Sequence, residues 1–187
     1  VTVIDKQPHV FPAFDADMAA LLHNRYYDEG VQLRLNAGVT GFADKDGALE
    51  VQLDDGCNPI VADMVVLAIG VKPDTALAEA AGLPLGVRGT IKVDDHMRTI
   101  DPNIYAVGDA VEVKNRLTGQ PTAIPLAGPA NKQGRIAADN IAGRDSTYKG
   151  SIGASIMKCF NLTAASCGFT CETADAAGLD YAYVVTN

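Results

Sequence analysis

The stretch 99–109, TIDPNIYAVGD, constrains the fold of this 187-residue chain more than any other. Its apolar run 104–107 has the composition of a strand buried on both faces of a parallel sheet. The Asp-Pro-Asn triplet before the run is a turn signal that fixes where the strand can begin. Gly108 then lets the backbone leave the sheet with no side chain in the way of a ligand.

Asp109 follows at the carboxyl end of this predicted strand, which is where open α/β sheets bind their ligands. An ionised carboxylate can only accept hydrogen bonds. It therefore suits the hydroxyl groups of a sugar or polyol and would repel a phosphate. The residues themselves predict a site for a hydroxyl-bearing cofactor at this position.

The order Thr, spacer, Ile-Tyr-Ala, any residue, Gly-Asp resembles the second flavin-binding motif of the FAD-dependent pyridine nucleotide-disulfide oxidoreductases. In that family the Asp holds the ribityl chain of FAD, so the resemblance assigns this role to Asp109, with Gly108 beside it. The structural alternative is a buried strand that simply ends in a Gly-Asp turn.

A second segment, VVLAIGVKPDT at 65–75, resembles the place where the NAD domain of this family returns to the FAD domain. The resemblance places Ile69 and Gly70 at the NAD(P) site, near the nicotinamide. The apolar run 64–69 predicts a strand at the centre of a sheet, and Asp74 or Thr75 can cap a helix at 76–81. This segment precedes the first motif, as the family order requires.

Residues 1–4 alternate and are β-branched, as in a strand, and Asp5 ends the run. In a dinucleotide-binding βαβ unit, an acid at this point accepts hydrogen bonds from the adenosine ribose; a solvent-facing loop acid is the alternative. Lys6 leaves open a preference for a 2′-phosphate, so NAD and NADP both remain candidates. The GxGxxG turn of such a unit would lie about 20 residues upstream, so we expect an internal piece of a longer polypeptide.

Periodicity and turn signals predict the next elements. They are a helix over 14–29, a strand over 31–35, and a hairpin that joins 39–42 to 49–53 through a turn at 43–47. The apolar stripe of the helix predicts packing on the sheet; its members are Phe14, Met18, Leu21 or Leu22, and Tyr26. We interpret His23, which lies within the stripe, as structural.

The sequence predicts one element on each side of the 99–109 motif: a strand at 90–93 before it and a helix over 130–142 after it. Pro129 suits the first turn of that helix and Gly143 its end. In the family this helix points its N-terminus at the flavin pyrimidine. Free N–H groups and the positive end of the helix dipole favour negative charge there, which makes Leu126 and Ala127 candidates through their backbone N–H groups.

The last part of the chain predicts strands at 154–159, 163–169 and 181–185 and a helix at 171–178. The segment KCFNLTAASCGFT is similar to the start of the family's dimerisation domain, most like the coenzyme A-disulfide reductase and NADH oxidase branch. The resemblance implies a homodimer through this domain. It also implies a redox cysteine upstream of Val1, so we interpret Cys159, Cys167 and Cys171 as buried small hydrophobic residues.

Charge and composition exclude several classes of protein. The net charge of −8 argues against nucleic acid or an anionic membrane surface as a partner. No apolar run approaches the roughly 20 residues of a membrane span, and the cysteines lack CxxC spacing, so we expect a cytoplasmic protein. Asp95 and His96 are adjacent on a chain that we predict to be extended, where they would point to opposite faces, so we predict no metal site.

The predicted fold class is α/β, with parts of two Rossmann-like domains for FAD and NAD(P) and the start of an α+β dimerisation domain. We predict the NAD(P) domain over 1–86, the FAD domain over 87–148 and the dimerisation domain over 149–187. The resemblance implies hydride transfer from NAD(P)H through FAD to a disulfide, persulfide, oxygen or peroxide acceptor. The alternatives are a thiol-free flavin reductase of an electron-transfer protein and a catalytically silent nucleotide-binding or dimerisation module.

Overall fold

The computed structural model describes residues 1–186 and confirms the α/β class. The chain forms two compact units. One contains Val1–Ile69 together with the chain from Ile156 onward, and the other contains Gly70–Ser155. Each unit is described by itself below. In the described part of the chain, no helix is both long enough and apolar enough to cross a bilayer.

The first unit opens with the predicted βαβ arrangement. Strand β1 (Thr2–Ile4) and strand β2 (Gln32–Arg34) pair in parallel and are joined by helix α1 (Ala16–Asp28). The chain after α1 reverses at Gly30, where φ is 73°, a backbone conformation that glycine adopts without steric cost.

The buried face of α1 differs from the predicted stripe. Ala19 and Leu22 are buried, but Met18 and Leu21 are exposed. The small Ala19 lets the helix approach the strands closely, which rotates its core face by about one residue from the position that the larger side chains suggested.

The predicted hairpin is present and has a third strand. Strands β3 (Val39–Lys45), β4 (Ala48–Leu53) and β5 (Ile60–Ala62) form an antiparallel sheet in that order. Asp46 and Gly47 have φ values of 55° and 86°, so the turn is the tight two-residue type with positive φ at both positions rather than the five-residue turn predicted.

The predicted central strand at 64–69 is wrong for this chain. The segment pairs with no strand of the described part, and its side chains are exposed: Ile69 is 87% exposed and Val66 is 76% exposed. An apolar run becomes a central strand only when strands flank it on both sides. The parallel sheet of this unit has only the three-residue strands β1 and β2 among the residues described.

The second unit contains helices α2 (Ala76–Ala80) and α3 (Ala127–Ile141) and a short hairpin of β6 (Val113–Lys114) and β7 (Pro121–Thr122). Helix α3 begins three residues before the predicted start and ends before Gly143, as predicted. Thr75 stands at the N-cap of α2, although no cap hydrogen bond from its side chain is present in the described structure. The buried core comprises Met97, Val111, Val113, Ala137 and Tyr148.

The two strands predicted around the opening motif are reduced to isolated bridges. Ile91 pairs with Leu85 and Val111, and Tyr105 pairs antiparallel with Arg98. The run 104–107 is therefore half-buried and antiparallel, not a buried parallel strand. The cause is the lack of a parallel partner strand, because the run pairs only with the segment just before it in the described chain.

The C-terminal part of the first unit is a hairpin followed by a helix, as predicted. Strands β8 (Ser155–Cys159) and β9 (Leu162–Ser166) pair, and helix α4 (Cys171–Ala176) starts from a capping box of Thr170 and Thr173. The predicted strand at 181–185 is wrong, because this segment pairs with no strand within residues 1–186. Alternation alone could not reveal that it lacks a neighbouring strand.

Candidate cofactor site

The predicted Gly-Asp turn is a short 3-10 turn, Gly108–Ala110. Gly108 has a φ of 85°, and an added Cβ would meet no atom within 4 Å. Glycine is therefore favoured by the backbone conformation, and open space adjoins the turn. The Asp109 side chain is exposed and has no hydrogen-bond or ion-pair partner among residues 1–186. An unpaired carboxylate beside open space is available to a ligand.

Asp109 lies on the wall of an open cleft of about 930 Å³ between this turn and helix α3. The helix contributes mostly small side chains, which leave room for a flat ligand. The lining residues are Val107, Asp109, Ala110, Ala127, Ala130, Asn131, Gly134, Arg135 and Ala138. The structure thus brings together Asp109 and Ala127, two of the residues that the sequence predicted for FAD.

The N-terminus of α3 offers fewer free donors than predicted. The N–H of Leu126 already donates to the carbonyl of Ile124 at 2.9 Å, so Leu126 has no free donor. The N–H groups of Ala127 and Gly128 have no acceptor within the described residues, and no side chain caps the helix there. Because they lie at the positive end of the helix dipole, these two groups favour a negatively charged or carbonyl oxygen.

A second cleft, of about 660 Å³, shares Asp109 and Ala110 with the first. Its other wall includes 71–75, the segment that follows Gly70. Lys72 and Arg88 also line it, and neither has an ion-pair partner in the part of the chain that is described. The segment that the sequence assigned to the nicotinamide side therefore adjoins the residue assigned to the flavin.

Sequence reasoning missed one buried residue at this site. Gln133, in the middle of α3, is 1% exposed, and its Oε1 accepts a hydrogen bond from the Gly108 N–H at 2.7 Å. The run Asn131-Lys132-Gln133 reads as a solvated helix face, so the polar sequence hid its burial. Only its position on the same face as Ala137, one turn later, indicated the core.

The predicted NAD(P) residues divide between the two units. In the first unit, Asp5 is half-buried and its Oδ1 accepts from the Gln7 N–H at 2.9 Å, while Lys6 is exposed. Ile69 ends that unit and is exposed. Gly70 begins the second unit with a φ of 93° and open space where a Cβ would stand. The second carboxylate oxygen of Asp5 has no hydrogen-bond partner within residues 1–186.

A family comparison agrees with this geometry. Residues 1–134 match the family described as pyridine nucleotide-disulphide oxidoreductase. The chain belongs to this family. The match covers every site residue predicted from the sequence.

Members of the oxidoreductase family with solved structures have the same fold as this chain. A reduced Bacillus anthracis CoADR-RHD is 44% identical with a TM-score of 0.90. The match covers 96% of this chain and 32% of the CoADR-RHD chain. An NAD-dependent persulfide reductase from A. fulgidus is 41% identical with a TM-score of 0.91. That match covers 96% of this chain and 33% of the reductase chain. An NADH oxidase from Methanocaldococcus jannaschii is 34% identical over 94% of this chain.

This chain spans 39% of the length of that NADH oxidase. It contains the Gly-Asp turn, helix α3, the cleft between them, and the second cleft along 71–75.

A polar cluster in the first unit of the oxidoreductase joins the loop before α1 to helix α4. His9 is buried; its Nδ1 lies 3.1 Å from the Val10 carbonyl oxygen, and its Nε2 lies 3.2 Å from Oε1 of Glu172. His23 accepts from the Val10 N–H through its Nε2 at 3.1 Å. Burial and the neighbouring His9 charge lower the pKa of His23, which agrees with the structural interpretation of this residue.

The cysteines of the oxidoreductase are all free and differ in environment. Cys159 is buried, as predicted, but Cys167 is exposed and Cys171 is half-buried, so the interpretation of all three as buried hydrophobic residues is wrong. Burial and a hydrogen bond with Asp15 raise the pKa of the Cys171 thiol, which disfavours the thiolate.

A cluster of two aspartates and a histidine lies in a turn where we predicted an extended chain. Asp94, Asp95 and His96 offer ligand atoms within 4.8 Å of one another. The argument that neighbouring side chains diverge is wrong here, because 95–97 turn. The carboxylate of Asp94 is nevertheless engaged: it accepts from the backbone N–H groups of His96 and Arg98 at 2.9 Å and from the Arg98 guanidinium.

Proposed function

We propose that the longer enzyme containing this chain transfers hydride from NAD(P)H to FAD and passes the electrons to a small-molecule disulfide, persulfide, oxygen or peroxide. One observation carries the proposal: Asp109, with its unpaired carboxylate, and Ala127, with its free N–H at the start of α3, line one cleft. The named relatives, an NADH oxidase and a persulfide reductase, support the same class of reaction.

The residues of the cleft fit FAD. Asp109 would accept hydrogen bonds from the ribityl hydroxyls, because its carboxylate is exposed and unpaired in the described chain. Gly108 leaves open space for the close approach of the cofactor. The free N–H groups of Ala127 and Gly128 would face the N1–O2 edge of the flavin pyrimidine, where negative charge collects when the flavin is reduced. FAD supplies the hydride chemistry when bound, and these residues hold and orient it.

The first unit would bind the nicotinamide nucleotide. Asp5 would accept from the adenosine ribose through the oxygen that Gln7 does not use, and the exposed Lys6 would lie near a 2′-phosphate. In the second unit, Gly70 would leave room near the nicotinamide, with Ile69 preceding it.

We further propose that the domain boundaries fall near 86 and 148, and that the enzyme is a cytoplasmic homodimer whose interface includes the C-terminal segment. Exposed apolar side chains support an interface there; Ile156, Tyr183 and Val184 are 73%, 69% and 85% exposed. Sedimentation of the full-length enzyme tests the dimer, and substitution of Val184 by Asp should shift it toward the monomer.

The decisive experiment is an anaerobic visible spectrum of the full-length enzyme before and after addition of NADH and then NADPH. A flavin spectrum that bleaches supports the proposal, and the more effective nucleotide identifies the donor. A further long-wavelength band on reduction would indicate a thiolate at the flavin, as expected of a redox cysteine upstream of Val1. A protein that stays colourless when FAD is added would overturn the assignment.

A variant ties the flavin to this chain. Asp109→Ala should abolish stable FAD binding, because a hydrogen bond to a charged group contributes roughly 1.5–3 kcal/mol and this carboxylate would make more than one. The matched control is Asp44→Ala, which removes an exposed carboxylate from strand β3 in the other unit. The control should retain FAD; equal loss in both variants would count against a site at Asp109.

A further inference from the structure

We propose that Gln133 is a positioning residue for the flavin: its buried side chain sets the spacing between the ribityl anchor, Asp109, and the N-terminus of helix α3. The inference rests on the proposed FAD site. It concerns a residue that does not line the cleft and so would not touch the cofactor itself.

The contact is specific in distance and burial. Gln133 Oε1 accepts from the Gly108 N–H at 2.7 Å, and the residue is 1% exposed. Gly108 begins the 3-10 turn, so its N–H has no acceptor within that turn. Gln133 supplies the acceptor that the turn lacks.

The bond connects the two parts of the site. Asp109 is the next residue after Gly108, and Gln133 lies in the same helix as Ala127, less than two turns from the N-terminus of α3. A helix is stiff over this length. One side chain therefore fixes where the carboxylate stands relative to the free N–H groups of Ala127 and Gly128.

Loss of this acceptor should move the turn but leave the Asp109 carboxylate itself unchanged. A half-buried N–H without a partner is unfavourable, so the turn would shift to hydrate Gly108 rather than stay in place. Asp109 would then hold the ribityl chain in a position that no longer matches the helix N-terminus. Both the affinity for FAD and the redox potential of the flavin should change.

The test uses three variants of the full-length enzyme. Gln133→Met keeps the length and shape of the side chain but removes the acceptor, whereas Gln133→Glu keeps an oxygen at the Oε1 position. Asn140→Leu is the matched control, because Asn140 is a half-buried amide of the same helix. It also bonds to the backbone, donating to the Ser146 carbonyl at 2.7 Å, but near the other end of α3.

The measurements are FAD affinity by reconstitution of the apoenzyme, the flavin midpoint potential, and the melting temperature. Gln133→Met should bind FAD at least about tenfold more weakly, a change of about 1.4 kcal/mol, and should have a more negative potential. Gln133→Glu should lie closer to the wild type in both. Asn140→Leu should lower the melting temperature and leave FAD affinity and potential unchanged.

Each other outcome overturns the inference. Gln133→Met with wild-type affinity and potential would show that the bond positions nothing, and equal losses in Gln133→Glu or Asn140→Leu would show a general effect on folding. If Gln133→Met does not fold, amide exchange decides: in the wild type, the Gly108 N–H should exchange slowly, and fast exchange overturns the inference. A wild-type enzyme without FAD would instead overturn the proposed function.

Discussion

His9 and Glu172 lie 163 positions apart in the chain, yet His9 Nε2 and Glu172 Oε1 are 3.2 Å apart. The other ring nitrogen of His9 faces the Val10 carbonyl. Both neighbours are acceptors, so both hydrogen bonds form only when the ring carries two protons. The contact joins a buried ring to a carboxylate and attaches helix α4 to the loop before α1.

Removal of this contact should destabilise the protein measurably. We expect Glu172→Gln to lower the free energy of unfolding by about 1–3 kcal/mol, because the buried His9 ring loses the charged acceptor next to its Nε2. The control is Glu50→Gln, which removes the exposed pair of Glu50 with Lys45 and should cost about 0–1 kcal/mol. Urea unfolding of the full-length enzyme measures both. Equal effects would mean that His9 does not depend on Glu172.

The neighbouring His23 should make the protein sensitive to acid. Burial and the charge of His9 lower its pKa in the folded state. The unfolded state therefore binds the proton more readily, and the stability that neutral His23 contributes is complete above the unfolded value of about 6.5 and is lost as pH falls below it. His23→Gln retains an acceptor for the Val10 N–H and does not titrate. Melting temperatures at pH 7.5 and 5.5 should differ less in this variant than in the wild type; an unchanged difference would contradict the assignment.

Asp5 should set the preference between the two nucleotides. Asp5→Asn retains an oxygen for the Gln7 N–H but loses the charge that would hold the ribose of NADH and repel a 2′-phosphate. We expect the ratio of kcat/KM for NADPH to that for NADH to rise about tenfold, equivalent to about 1.4 kcal/mol. Steady-state kinetics of the full-length enzyme measure the ratio. Asp44→Asn, on the β3 hairpin, should leave it unchanged.

The thiols should react in an order set by their surroundings. Cys57 and Cys167 are exposed and Cys159 is buried, while burial and the Asp15 carboxylate raise the pKa of Cys171. We expect brief treatment of the native enzyme with iodoacetamide to label Cys57 and Cys167 first, as read by peptide mass spectrometry. Cys159 should react only after unfolding. Early labelling of Cys171 would indicate an activated thiol that the structure does not provide.

The elements that sequence reasoning predicted correctly are those with local signals. Helix α1, the hairpin of β3 and β4, and the end of helix α3 follow from periodicity and from glycine turns within a few residues. The strands predicted at 64–69, 104–107 and 181–185 failed because a strand needs a distant partner, and composition does not reveal whether one is present.

The residues of the candidate site also divide into those with a local signal in the sequence and those that depend on a distant partner. Gly108 and Asp109 were predicted from adjacent residues, and the structure places them beside Ala127. Gln133 could not be predicted, because its role depends on a hydrogen bond to a residue 25 positions away. A polar side chain on a helix is usually solvated. Its position one turn before Ala137 indicates burial but does not reveal the hydrogen bond to Gly108.

The apolar segment 64–69 has a practical consequence for anyone who produces this part of the enzyme. It pairs with no strand among residues 1–186, and Met64, Val66 and Ile69 present uncharged side chains to water. Such a segment is a template for a strand from another molecule. Without something to cover it, the protein should become less soluble as its concentration rises, and lysine at position 66 should act as a gatekeeper against self-assembly.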